Sequence, residues 1–125
     1  MARFLTDEWI EALDAAAREA TVPAGVCVTI QQIVTDETDG DVRYHLILDG
    51  GRLTVRPGEA ATADVTLVQN REVAAALSRG ELNAQQALEA GRLKLRGDIG
   101  QLARHGKALT AVEDVFAAVR AATTY

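Results

Sequence analysis

Between Gly91 and Gly100 the chain reads Gly-Arg-Leu-Lys-Leu-Arg-Gly-Asp-Ile-Gly, and this stretch constrains the fold more than any other. Leu93 and Leu95 alternate with Arg92, Lys94 and Arg96, so one face of a short strand is apolar and the other cationic. A glycine closes each side. The second runs into Asp98, which with Gln101 three residues on reads as the cap of a last helix. The unit is helix, glycine, strand, glycine, helix, and none of it is catalytic chemistry.

The rest of the chain supplies a sheet for that strand. Thr6 reads as an N-cap, with Asp7 and Glu8 in the first turn, where the helix dipole favours acids. Leu5, Trp9, Leu13, Ala16, Ala17 and Ala20 then recur at helical spacing until Pro23 and Gly25. From Val26 the period becomes that of a strand: Val26, Val28, Ile30 and Val34 alternate with Cys27, Thr29, Gln31 and Thr35, and Gln32 interrupts the apolar face. Val42, Tyr44, Leu46 and Leu48 form a second alternation. Asp49-Gly50-Gly51 is a tight-turn signal, since glycine accepts the positive φ that hairpin turns require. Arg52–Arg56 reads as a third strand stopped by Pro57-Gly58, and Ala63–Val68 as a fourth. Asn70 and Asn83 each cap a short helix, closed by Gly80 and Gly91. Gly106 lies inside the last helix, whose apolar positions include Ile99, Leu102, Leu109, Val112 and Phe116. Short turns make the first strands antiparallel. Strands with one apolar face place helices on one side of the sheet and water on the other.

A length of 125 residues suits one domain spanning residues 1–125. No apolar run approaches the roughly 20 residues of a membrane span, and the start turns acidic too early for a signal peptide. The lone Cys27 forms no internal disulfide and fits a reducing, cytoplasmic setting. Arginine outnumbers lysine and alanine is abundant, a composition expected of a GC-rich bacterial genome. The net charge of −5 makes nucleic acid a poor partner. The charge is uneven: residues 1–64 hold 12 acids and 5 bases, residues 65–125 hold 6 and 8. Arg92, Lys94, Arg96, Arg104 and Lys107 lie close together in sequence, with only Asp98 against them.

Candidate chemistry is sparse. Cys27 sits in a strand without a histidine signal nearby and reads as a packed small residue. His45 points away from the helix-covered side, and neither it nor His105 has a serine or cysteine and an aspartate at catalytic spacing. The acids at 36, 37, 39 and 41 lack the alternation and closing glutamate of a calcium loop and read as a solvated turn. Gly97-Asp98-Ile99-Gly100 is no dinucleotide fingerprint. No catalytic residue, metal ligand or cofactor is expected.

The order of elements and its punctuation resemble the sterol carrier protein-2 superfamily. The resemblance is carried by Ala63-Asp64-Val65-Thr66-Leu67, by Leu77 with Gly80, by Leu82-Asn83-Ala84-Gln85-Gln86-Ala87-Leu88, and by Gly91-Arg92-Leu93-Lys94-Leu95-Arg96-Gly97-Asp98. It implies an α+β fold: a five-stranded, mostly antiparallel sheet covered on one face by helices, with an apolar cavity between them. It implies non-catalytic binding and transfer of a fatty acid, acyl-coenzyme A or sterol. The cavity would be lined by Leu67, Leu77, Leu88, Leu93, Leu95, Ile99, Leu102, Leu109 and Phe116. Arg92, Lys94 and Arg96 would meet an anionic headgroup or a membrane surface in passing. The commoner family pattern has a phenylalanine-methionine pair where this chain has Ala87-Leu88, which leaves either a larger cavity or a repacked core. Two other readings stand beside carriage: an interaction module, such as a homodimer, whose core is filled, and an accessory subunit presenting lipid to a separate enzyme.

Overall fold

The computed structural model describes residues 2–38, 40–98, 100, 104 and 106–125. Strand β1 (Ala2–Arg3) leads into helix α1 (Asp7–Ala17). Strands β2 (Cys27–Thr35), β3 (Val42–Asp49), β4 (Arg52–Pro57) and β5 (Val65–Asn70) follow. Helices α2 (Arg71–Arg79) and α3 (Ala84–Glu89), strand β6 (Leu93–Gly97), helix α4 (Gly106–Arg120) and strand β7 (Thr123–Thr124) complete the chain.

Five strands make one sheet in the order β4-β3-β2-β5-β6. Every neighbouring pair is antiparallel except β2 with β5, which run parallel. The β3–β4 hairpin turns on Gly50 and Gly51 at φ of +58° and +80°, the conformation that its sequence calls for. A second, two-stranded sheet pairs β1 with β7 and ties the two ends of the described chain together.

Register places Val28, Ile30, Gln32 and Val34 of β2 on one face, with Tyr44, Leu46 and Leu48 of β3, Leu53 and Val55 of β4, Val65, Leu67 and Gln69 of β5, and Leu93 and Leu95 of β6. Trp9 of α1 meets Tyr44 edge to face, Phe116 of α4 touches Trp9, and Val73 of α2 and Ala87 of α3 pack with Leu93. All four described helices therefore lie on that face. The expected α+β fold, with its mostly antiparallel sheet, is the one found.

The opposite face departs from the expected wet surface. Because β4 and β5 lie at different places in the sheet, residues 58–64 must cross it. Gly58 O accepts from Gln31 Nε2 at 3.4 Å, and Ala60 N donates to Gln31 Oε1 at 2.8 Å. Asp64 closes the crossing, accepting from Thr29 N at 2.8 Å and donating its own N–H to Thr29 O at 3.0 Å. The crossing buries Gln31 and His45 beneath it. His45 does point away from the helices, with Nδ1 3.0 Å from Gly58 O.

The helix starts follow their sequence signals. Thr6 accepts from Trp9 N, Asn70 accepts from Val73 N, and Asn83 forms a reciprocal capping box with Gln86. Gly80 ends α2 in the left-handed conformation. The cap expected from Asp98 and Gln101 involves a residue outside those described.

Candidate functional site

The helix-facing side divides into two apolar regions. Over β4, β3 and β2 the core is filled. Trp9, fully buried, lies 4.8 Å from Phe4, 5.5 Å from Tyr44 and 5.9 Å from Phe116, and Phe4 lies 4.9 Å from Tyr125. The chain holds five aromatic residues, and all join this cluster. Val112, Val115 and Val119 close it from α4. Few in number, the aromatics are concentrated where the sheet meets the last helix. Phe116, expected at a cavity wall, is part of this packing. Burial also drives the Tyr44 hydroxyl well above the ordinary tyrosine range, because its ionised form would lose water.

Among the described residues, the packing over β5 and β6 is thinner. Val73, Ala87 and Leu93 are buried together, with Leu67, Leu77 and Leu82 only partly covered around them. Leu67 and Leu95 are cross-strand partners on the helix-facing side, and both are half-buried. Four expected lining residues, Leu67, Leu77, Leu93 and Leu95, thus share this region. Leu88 does not join them: it stands 39 % exposed on α3, because Ala87 is the residue that α3 turns inward. Ile99 and Leu102 lie outside the described residues, as does the side chain of Leu109.

Between the two regions lies a polar seam. Gln69 Nε2 donates to Gln32 Oε1 at 2.8 Å across β2 and β5, with the residues only 8 % (Gln32) and 6 % (Gln69) exposed. Gln32 stands in register with Tyr44 on one side and Leu67 on the other, and Gln69 with Leu93. Gln32 announces itself in the sequence by breaking an apolar alternation. Gln69 does not, because it directly precedes the cap Asn70 and reads as the end of a strand.

Among the described basic residues, Arg92 is drawn toward α2, apart from Lys94 and Arg96. Lys94 and Arg96 are exposed on the face away from the helices, opposite Val68 and Thr66. Arg92 precedes the strand, with Nη2 3.9 Å from Glu72 Oε1 on α2. The acidic turn is not wholly solvated either: Asp36 accepts from Thr38 N at 2.9 Å and meets Arg71 Nη1 at 3.4 Å. Cys27, expected to be packed, is exposed. Two open clefts, of about 410 and 430 Å³, flank the end of α1. One is lined by Glu19, Ala20, Thr21, Thr110, Ala111 and Asp114, the other by residues that include Asp14, Ala17, Arg18, Leu53 and Arg56, so each mixes charged with apolar lining. Among the described residues no group of three His, Cys, Asp or Glu side chains could hold a metal ion. No described helix is long and apolar enough to cross a membrane.

The sequence profile of the SCP-2 sterol transfer family matches residues 10–110, and the chain belongs to that family. Its fold is similar to the crystal structure of sterol carrier protein 2, with a TM-score of 0.74 at 23% identity over 90% of this chain and 96% of that one. The solution structure of the sterol carrier protein domain 2 of Helicoverpa armigera gives 0.67 at 22%, over 92% and 90%. Palmitated SCP2L2 from Aedes aegypti gives 0.64 at 25%, over 88% and 94%. No curated protein matches the chain significantly in sequence.

Proposed function

We propose that this protein binds a lipid chain reversibly on the helix-facing side of β5 and β6 and carries it without covalent chemistry. The observation that carries this reading is the half-buried Leu67–Leu95 pair, an apolar floor beside a core that is otherwise tightly closed, in a chain of the SCP-2 family. Apolar area left partly in water is where an acyl chain gains most, about 0.8 kcal/mol for each methylene it buries. Leu77 and Leu93 extend the floor toward α2. Palmitate on the Aedes aegypti relative is a property of that protein; here it supports an acyl chain as the occupant.

The side chains that would carry out catalysis are dispersed. The His45 ring is tied to a backbone carbonyl under the crossing, and Cys27 stands in register with Asp49 rather than with His45, whose partner on β2 is Gln31. Carriage alone accounts for the arrangement. On the far face, exposed Lys94 and Arg96 would meet anionic headgroups during transfer, each contributing on the order of 1 kcal/mol near such a surface.

Filling the floor is the test. Leu95→Trp should remain folded, as judged by circular dichroism, and lose most of its affinity for a fluorescent fatty-acid probe. A folded variant that binds the probe as tightly as the parent would remove the floor from the site and move the reading to an interaction module.

A further inference from the structure

The polar seam beside the floor has unused bonding capacity. One hydrogen bond joins the Gln32 and Gln69 amides. Each amide has both a carbonyl and an NH2, so a single bond between them leaves one acceptor and one donor over, whichever nitrogen does the donating. Among the described residues, Gln32 Nε2 and Gln69 Oε1 have no other partner. Both residues are more than nine-tenths buried, yet these two atoms are not sealed, so each keeps access for a partner that the protein does not supply. Two glutamines on an otherwise apolar sheet face are poor core residues and good recognition residues.

The surroundings select what they would recognise. The helix-facing positions of the sheet are all uncharged. The nearby arginines are engaged elsewhere: Arg71 with Asp36, Arg79 with Glu81 and the Tyr125 ring, Arg92 with Glu72, and Arg120 with the Ser78 carbonyl. An ionised carboxylate placed at the seam would face Gln69 Oε1 with like polarity and meet no counter-charge among the described sheet positions, so its desolvation would go uncompensated there. A hydroxyl matches the pair: it accepts from Gln32 Nε2 and donates to Gln69 Oε1.

Building on the proposed lipid carriage, we infer that Gln32 and Gln69 form an internal head-group site for a long-chain lipid with a neutral hydroxyl head, its chain lying on Leu67 and Leu95. The ligand enters head-first, and the protein prefers an alcohol to the acid of equal chain length. Register supports the geometry, since Gln32 is the direct β2 neighbour of Leu67, and Leu67 of Leu95.

The test uses the delipidated full chain, titrated calorimetrically with 1-hexadecanol and with palmitate at a pH where palmitate is ionised. The alcohol should bind at least about tenfold tighter, the factor expected of two modest hydrogen bonds gained against an unpaired charge. Replacing both amides together, Gln32→Leu with Gln69→Leu, removes the site without stranding either partner and should bring the two affinities within about threefold. Should that pair misfold, Gln69→Met alone should shrink the preference in the same direction. Equal binding of both probes by the parent, or tighter binding of palmitate, overturns the head-group site and leaves lipid carriage standing. Binding of neither overturns carriage and the site with it. A preference for the alcohol that survives in a folded double variant also overturns the assignment to these two residues.

Discussion

Asp14 on α1 accepts the backbone N–H of Val55 on the outermost strand β4 at 3.0 Å, from a side chain that is itself buried. Edge strands expose backbone groups that invite pairing with other chains, and a helix laid along the edge is one way to block them. The second Asp14 oxygen meets Arg56 at 3.1 Å and Arg18 at 3.4 Å. Asp14→Ala would leave the Val55 donor unpaired and should lower the unfolding free energy by about 2 kcal/mol in urea titrations, with an unchanged m-value. Asp14→Asn keeps an acceptor and should lose less. Arg18 has a side chain 74% exposed, so Arg18→Ala should change stability by no more than about 0.5 kcal/mol. A loss from Arg18→Ala equal to that from Asp14→Ala would place the stabilisation in the ion pair.

Trp9 should separate volume from polarity. Its Nε1 is the one buried side-chain polar atom without a hydrogen-bond partner among the described residues. Trp9→Ala empties the centre of the aromatic cluster and should cost about 3–5 kcal/mol. Trp9→Phe also removes the unpaired donor, which relieves about 1–3 kcal/mol and should leave a much smaller net loss. Thermal denaturation of both variants checks this. Equal losses would mean that the indole N–H is bonded in solution.

Tyr44 makes stability depend on alkaline pH. Burial raises its folded-state pKa above the unfolded value near 10, so the folded state holds its proton where the unfolded state releases it. Its contribution is fully present below about pH 10 and falls with a slope of at most about 1.4 kcal/mol per pH unit above it. Unfolding titrations from pH 9 upward should show that slope in the parent and its absence in Tyr44→Phe. An identical alkaline loss in both would assign it to other groups.

Gly97 is fixed by a neighbouring strand. At φ +100° a Cβ would run into the Asp64 carbonyl oxygen, the same atom that accepts from Asp98 N at 2.9 Å. Gly91 shares a positive φ of +73° but has open space around it. Gly91→Ala should therefore cost about 1–2 kcal/mol from backbone strain alone. Gly97→Ala should cost more and should raise hydrogen-exchange rates at the β5–β6 pairing.

These relationships were unequally legible in the sequence. Alternation over β2, β3 and β4, the Gly50-Gly51 turn, and the caps at Thr6, Asn70 and Asn83 are local features, and the structure follows them. The β1–β7 pairing is not local: it joins Ala2 to Thr123, and two-residue strands have no period to read. The crossing over Gln31 and His45 was hidden because a polar, alanine-rich stretch between strands reads as exposed. The aromatic cluster gathers residues 4, 9, 44, 116 and 125, whose convergence only tertiary structure decides. For the candidate site, leucines at strand positions were visible, but periodicity cannot tell packed from half-covered. Nor does periodicity over a helix as short as α3 tell that Ala87 is buried while the neighbouring Leu88 is exposed.

The most direct test of lipid carriage is where the chain lies when bound. With methyl-labelled leucine and valine, NMR contacts between the methylenes of bound 1-hexadecanol or palmitate and the protein can be assigned residue by residue. Contacts should fall on Leu67 and Leu95, with Leu77 and Leu93 at the margin, and none on Leu13, Leu46 or Leu48 in the closed aromatic core. Contacts concentrated on the core leucines, or a saturated protein with no contact to Leu67 and Leu95, would contradict carriage on this floor.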